Sequence, residues 1–140
     1  ESKVIGVPEE ILSNNLDGKW SVKQNIGHLA EVDEVANKRI DEIISGIPVL
    51  SPAVFEPQKN YNDQSVQEVL ASLLWNRTKN LNRYNTLSPD DLAKSSLHPR
   101  LKGQMTPVDL AWFDAEHDDH HLVRINEIIG VLSGITNCCK

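Results

Sequence analysis

Apolar residues in this chain recur at spacings of three and four, the repeat that gathers them on one side of an α-helix. Val22, Ile26, Leu29, Val32, Ala36, Ile40, Ile43 and Ile44 form one such stripe. It opens at Ser21-Val22-Lys23-Gln24, a capping box whose two side chains satisfy backbone N–H groups left over at a helix start. The pattern runs to about Ser45, where Gly46 and Pro48 stop it. Pro48, Pro52 and Pro57 then rule out a helix through the connection from Gly46 to Gln64, which ends on a Tyr61-Asn62-Asp63 turn signal. Ser65-Val66-Gln67-Glu68 is a second capping box, and the helix behind it carries Val66, Val69, Leu70, Leu73, Leu74, Leu81 and Tyr84 on one side. Ser88-Pro89-Asp90-Asp91 begins a short helix, with serine at the cap and proline in the first turn. Residues 95–105 read as an irregular loop. Thr106-Pro107-Val108-Asp109 starts the last and longest helix, which extends to about Leu132 with Gly134 as its stop. Residues 8–15 allow one or two further turns.

Strand signals are almost absent and no internal repeat occurs, so the expected fold is all-α: one-sided helices packed in a bundle around a single core. The chain has 140 residues, and one domain over 1–140 is the simplest organisation, with 137–140 expected as a frayed tail. That tail holds Cys138 and Cys139, adjacent and unable to make a conventional disulfide framework. Aromatic residues are only 5 %, so aliphatic side chains must supply most of the packing. The net charge of −6, with no stripe of Lys and Arg, disfavours nucleic-acid binding through phosphate neutralisation. No apolar run approaches a membrane span, and the N-terminus lacks a charged-then-apolar signal layout. The expected location is therefore the cytoplasm, with no membrane partner.

The chemistry concentrates in Glu116-His117-Asp118-Asp119-His120-His121, inside the last helix. His117 and His121 are four apart, so their imidazoles project from one face, one turn above the other. On a wheel with His117 at zero, Leu110 and Ile128 fall at about 20°, His121 at about 40° and Arg124 at about −20°. The pair thus lies in the apolar stripe. Two adjacent imidazoles facing a core need partners, either hydrogen bonds within the protein or a shared transition-metal ion. A held metal with an open position needs a third protein ligand, and His28, His98 and a carboxylate are the candidates. His28, at the edge of the first stripe, leads. His98, ahead of Pro99 in a loop, fits a turn or capping role better, and His120 sits on the flank. His117-Asp118-x-x-His121 approaches the zincin pattern His-Glu-x-x-His, but the shorter acid points aside and no third ligand follows at a characteristic spacing.

Three blocks together resemble the DinB-like superfamily, which includes YfiT-type proteins described as metal-dependent hydrolases. They are Gly18-Lys19-Trp20-Ser21-Val22 with Gly27-His28-Leu29; then His98-Pro99-Arg100-Leu101 with Met105-Thr106; then Phe113 to Ile125 around His117 and His121. The resemblance implies a four-helix bundle with up-up-down-down connectivity, frequent homodimerisation, and a divalent metal on His28, His117 and His121. The family pattern has a full helix ahead of Gly18, whereas only about twenty residues precede it here, so either that helix is shortened or part of it lies outside this sequence. The resemblance also implies hydrolysis or thiol transfer on a small molecule, with a low-molecular-weight thiol such as bacillithiol as a possible co-substrate.

Three imidazoles suit Zn²⁺ or Ni²⁺, with Fe or Mn also in range, and leave positions where water or a thiolate becomes a nucleophile near neutral pH. Asp114, one turn before His117, and Glu31, three residues after His28, are the carboxylates placed to assist. Arg124 on the metal-facing stripe could clamp a substrate anion, while Arg77 among leucines reads as a structural ion pair. Trp20 and Trp112 are expected to pack at helix starts, and Trp75 to be exposed. The competing function is metal binding without catalysis, in a stress-associated protein. An enzyme should show a cavity leading to the histidines; a storage or structural site should be closed.

Overall fold

The structure, a computed structural model, describes residues 3–54 and 56–134. Helices dominate it: α1 Glu9–Leu12, α2 Val22–Ile44, α3 Val66–Tyr84, α4 Pro89–Ala93 and α5 Pro107–Leu132. The anticipated tail at 137–140, with both cysteines, lies outside the described residues. Four helices start on complete capping boxes, at Ser21 with Gln24, Ser65 with Glu68, Ser88 with Asp91 and Thr106 with Asp109. In each, the cap hydroxyl accepts the N3 backbone N–H and the N3 side chain accepts the cap's own N–H. Gly46, at φ +74° just beyond α2, takes the left-handed conformation that turns the chain off the helix.

Helix α2 is the centre of the bundle, packed against both α3 and α5. Its apolar stripe divides between two clusters. At one end Val22 and Ile26 join Leu12, Val66, Val69, Ile125 and Ile128. At the other Ile40 and Ile43 join Leu50 and Leu110. Between them runs a buried polar layer that contains His28, Asp33, Asn76, Asn80 and His121. The one-turn α1 closes the first end, where Glu9 ion-pairs with the buried Lys23. No helix is long and apolar enough to cross a membrane among the described residues.

Three local expectations are corrected. Leu74 and Leu81 of α3 are 48 % and 57 % exposed, while Asn76 and Asn80 are buried in their place. Positions 66, 69, 73, 76 and 80 follow the 3–4 spacing of a helix seam, and the two asparagines continue it. Asn76 donates to the Ala30 carbonyl and Asn80 to the Asp33 carbonyl and carboxylate, so polar side chains grip the backbone of α2. Trp112 is 70 % exposed rather than packed, because it stands about 140° around α5 from His117. Residues 95–105 are not wholly irregular: Ser96–Leu97 and Gln104–Met105 pair as two short antiparallel strands. Leu97 bonds on to the 46–64 connection through the Pro48 carbonyl and the Leu50 N–H.

Candidate metal centre

His28 reaches the bundle interior from the second turn of α2, and His117 and His121 from successive turns of α5. One ring nitrogen from each lies within 4.8 Å of the other two. Ring centroids are 5.2 Å apart for His28 and His117, 5.0 Å for His28 and His121, and 4.5 Å for His117 and His121. Trp20 packs over the group, nearly parallel to His121 at 5.9 Å and tilted against His28 at 4.9 Å.

The protonation of His121 follows from its neighbours. The Asn25 amide nitrogen donates to the Ser21 carbonyl at 2.8 Å and the Trp20 carbonyl at 3.3 Å, which fixes the amide's orientation. Its oxygen is then the atom 2.7 Å from His121 Nδ1, and an amide oxygen only accepts. Nδ1 therefore carries the proton, and Nε2 presents a lone pair, 3.2 Å from His117 Nε2. The buried Nδ1 atoms of His28 and His117 have no hydrogen-bond partner. Burial pushes His28 and His121 down to about 4, aided by neighbouring imidazoles, and lowers His117 as well. Neutral, converging, under-bonded imidazoles are the donor set a divalent transition metal takes.

The remaining candidates fall apart from this trio. Glu31 accepts the Gln58 N–H and the Tyr61 hydroxyl, tying the 46–64 connection to α2. Asp118 turns away to Arg77, which also binds Asp33, so that arginine is the structural ion pair its setting suggested. Arg124 pairs with Glu127 at 2.7 Å. His98 Nδ1 accepts the backbone N–H groups of Arg100 and Leu101, a turn cap. His120 is exposed. Asp114 stands one turn before His117. Burial, reinforced by Asp33 and Asp118 and opposed by Arg77 and Arg39, pushes its carboxyl up to about 7.

Two cavities border the histidines. One, of about 520 Å³, is bounded by His28, His117, Asp114, Val32, Val35 and Phe113 among others. The second, of about 700 Å³, is more open and is bounded by Trp20, His120, His121 and Arg124 as well as His28 and His117. Sequence reasoning missed Asn25, which orients His121, and Gly27. A Cβ at Gly27 would stand only 2.4 Å from three ring carbons of Tyr61, so glycine lets that ring pack directly on the backbone of α2 beside His28. The available signal was the placement of both within three residues of His28 on the same helix.

The sequence signature of the DinB superfamily matches residues 6–125. The chain belongs to the DinB superfamily. Among solved structures, YfiT from Bacillus subtilis, described as a probable metal-dependent hydrolase with an unusual four-helix bundle topology, superposes with a TM-score of 0.79. The match covers 95 % of this chain and 79 % of YfiT at 21 % identity. This DinB-superfamily chain thus has the YfiT-like four-helix bundle, with a first helix that is a single turn among the described residues. No curated protein is significantly similar in sequence.

Proposed function

We propose that this DinB-superfamily protein is a metal-dependent enzyme acting on a small molecule, with His28, His117 and His121 as the ligands of one divalent ion. The observation that carries the reading is the convergence of three neutral imidazoles from two helices, with the His121 tautomer set by Asn25. A bound Zn²⁺ or Ni²⁺ supplies Lewis-acid activation of a water or a thiol. The protein's own residues do the rest. Asn25 keeps a lone pair of His121 directed inward, and Trp20 covers one side of the group. Asp114, held near neutrality by its surroundings, holds or releases a proton at the wall of the cavity that His117 shares. Arg124, whose guanidinium is held by Glu127 and the Leu16 carbonyl, borders the opposite cavity. The description of YfiT as a metal-dependent hydrolase supports the same class. Two cavities that reach the histidines favour catalysis over a closed storage site. Hydrolysis and S-transfer differ in whether water or a thiol such as bacillithiol attacks. A homodimer is part of the proposal, consistent with the exposed Leu74, Trp75 and Leu81 on α3.

Metal analysis of protein purified without chelators tests it. Wild type should carry about one divalent ion per chain, and His28→Ala, His117→Ala and His121→Ala should each lose it. Asn25→Ala should keep the ligands but bind roughly 10–100-fold more weakly. An unchanged stoichiometry in His28→Ala would remove that residue from the site. Turnover of electrophilic substrates with water, glutathione or bacillithiol then separates hydrolysis from transfer.

A further inference from the structure

Arg39 is a buried guanidinium, 5 % exposed, with no carboxylate ion-paired to it among the described residues. Its Nε and Nη2 donate to the Ser51 carbonyl at 3.1 and 2.9 Å. Its Nη1 lies 3.3 Å from Nε2 of His98, itself 4 % exposed. That last contact does not work as a hydrogen bond. His98 Nδ1 already accepts two backbone N–H groups, from Arg100 at 3.3 Å and Leu101 at 3.1 Å. A neutral imidazole whose Nδ1 accepts carries its proton on Nε2. Burial and the nearby Arg39 and Arg100 disfavour a second proton on this ring. Nε2–H and Nη1–H are then two donors side by side, and what they lack is a shared acceptor.

Both residues border a cavity. Arg39 and His98 line a pocket of about 360 Å³ that shares Arg39, Ala53 and Phe113 with the cavity reaching His28 and His117. On α2, Arg39 is eleven residues beyond His28, about three turns and about 16 Å along the same face. Val32 and Val35 lie between them on that face, with Phe113 also lining the cavity. Asp114 and Glu42 are the acids Arg39 feels. Glu42 is committed to the Ser51 N–H and hydroxyl, and Asp114 makes no ion pair with Arg39, its carboxyl pushed up to about 7 by burial. A cation, two convergent donors and an apolar passage describe a receptor for an anion at the end of an apolar body.

We propose that Arg39 and His98 form an anion subsite, seating the carboxylate or phosphate of an elongated, apolar-bodied substrate whose reactive end lies at the three histidines. The assignment of the reactive end rests on the metal-site reading above; the anion subsite does not.

The test is calorimetric titration of 4-phenylbutanoate, 4-phenylbutyl phosphate and 4-phenylbutan-1-ol into metal-loaded and chelator-treated protein. Chelation keeps the acids from binding through a metal, so its arm reports the subsite alone. At least one acid should bind about tenfold or more tightly than the alcohol, whichever acid wins naming the substrate's anion. Arg39→Met should abolish that preference and Arg39→Lys should retain part of it. Long-range ¹H–¹⁵N spectra of wild type should show His98 protonated on Nε2, with its signal shifting as the acid is added. That measurement stands even where an Arg39 variant fails to fold. Equal affinity for acid and alcohol, an acid preference that survives Arg39→Met, or a proton on Nδ1 would each overturn the proposal. If the metal reading alone fails, acid preference persists in chelated protein and in His117→Ala. If the subsite alone fails, metal stoichiometry in Arg39→Lys still matches wild type.

Discussion

Asp114 is a residue whose surroundings change its chemistry. A carboxyl that normally titrates near 4 is carried up to about 7 by burial first, then by Asp33 and Asp118. The native state therefore holds a proton that the unfolded chain has given up between those values. Proton uptake linked to folding means stability is full below the unfolded value and falls as pH rises through the folded one. Asn at this position is neutral at every pH and removes the dependence. In chelated protein, denaturant titrations of Asp114→Asn and wild type should diverge from about pH 4 to about pH 7. The variant should gain, relative to wild type, at most about 1.4 kcal/mol per pH unit. A difference that stays flat with pH would show that Asp114 is solvated like an ordinary surface acid. The histidines show the residue scale in another way. His117 and His121 announce themselves by spacing, but the Asn25 contact that fixes a tautomer joins positions 96 apart in sequence, and no local pattern reports it.

At the scale of the element, helix starts were legible because each is a local agreement between two side chains three residues apart. Both capping boxes read from the sequence form as written, and the capped starts expected at Ser88 and Thr106 prove to be boxes too, closed by Asp91 and Asp109. The buried face of α3 was not legible. Leucine spacing suggested Leu74 and Leu81, but the seam runs through Asn76 and Asn80, which have partners only once the carbonyls of α2 stand opposite. Helix α2 likewise depends on what lies across from Gly27. Because Tyr61 packs against the bare backbone there, Gly27→Ala must push the ring aside and disturb its bond to Glu31. Overpacking of this kind costs about 1–3 kcal/mol, outweighing the gain in helix propensity of about 1 kcal/mol from removing a glycine. Thermal or denaturant unfolding of Gly27→Ala should show a net loss, and a net gain would mean the Tyr61 ring is free to move.

For the whole molecule, the polar layer between two apolar clusters joins α2, α3 and α5 at the level of the histidines. A metal held by His28 on one helix and His117 and His121 on another would bind the native state and not the unfolded chain, so it stabilises the fold as a unit. At a hundredfold excess of free metal over its Kd the gain is about 2.7 kcal/mol. For a chain of this size that raises Tm by several degrees, roughly 5–10 °C. Scanning calorimetry with and without Zn²⁺ should show the rise in wild type and its loss in His121→Ala. An equal rise in both would place the metal elsewhere.

By itself the sequence determined the helical class, the four capped helix starts and the two-histidine face of α5, because each depends on residues within a turn or two of one another. It also carried the DinB resemblance, whose blocks are short and ordered along the chain. The sequence also put His28 forward as the histidine that joins the pair, and the fold brings it there. Tertiary structure alone decided that Asn25 orients one of the pair, and that Arg39 and His98 stand donor to donor beside a cavity. Those are relations between helices and loops distant in the chain. They exist only after burial has brought polar atoms together and left each with a partner to find.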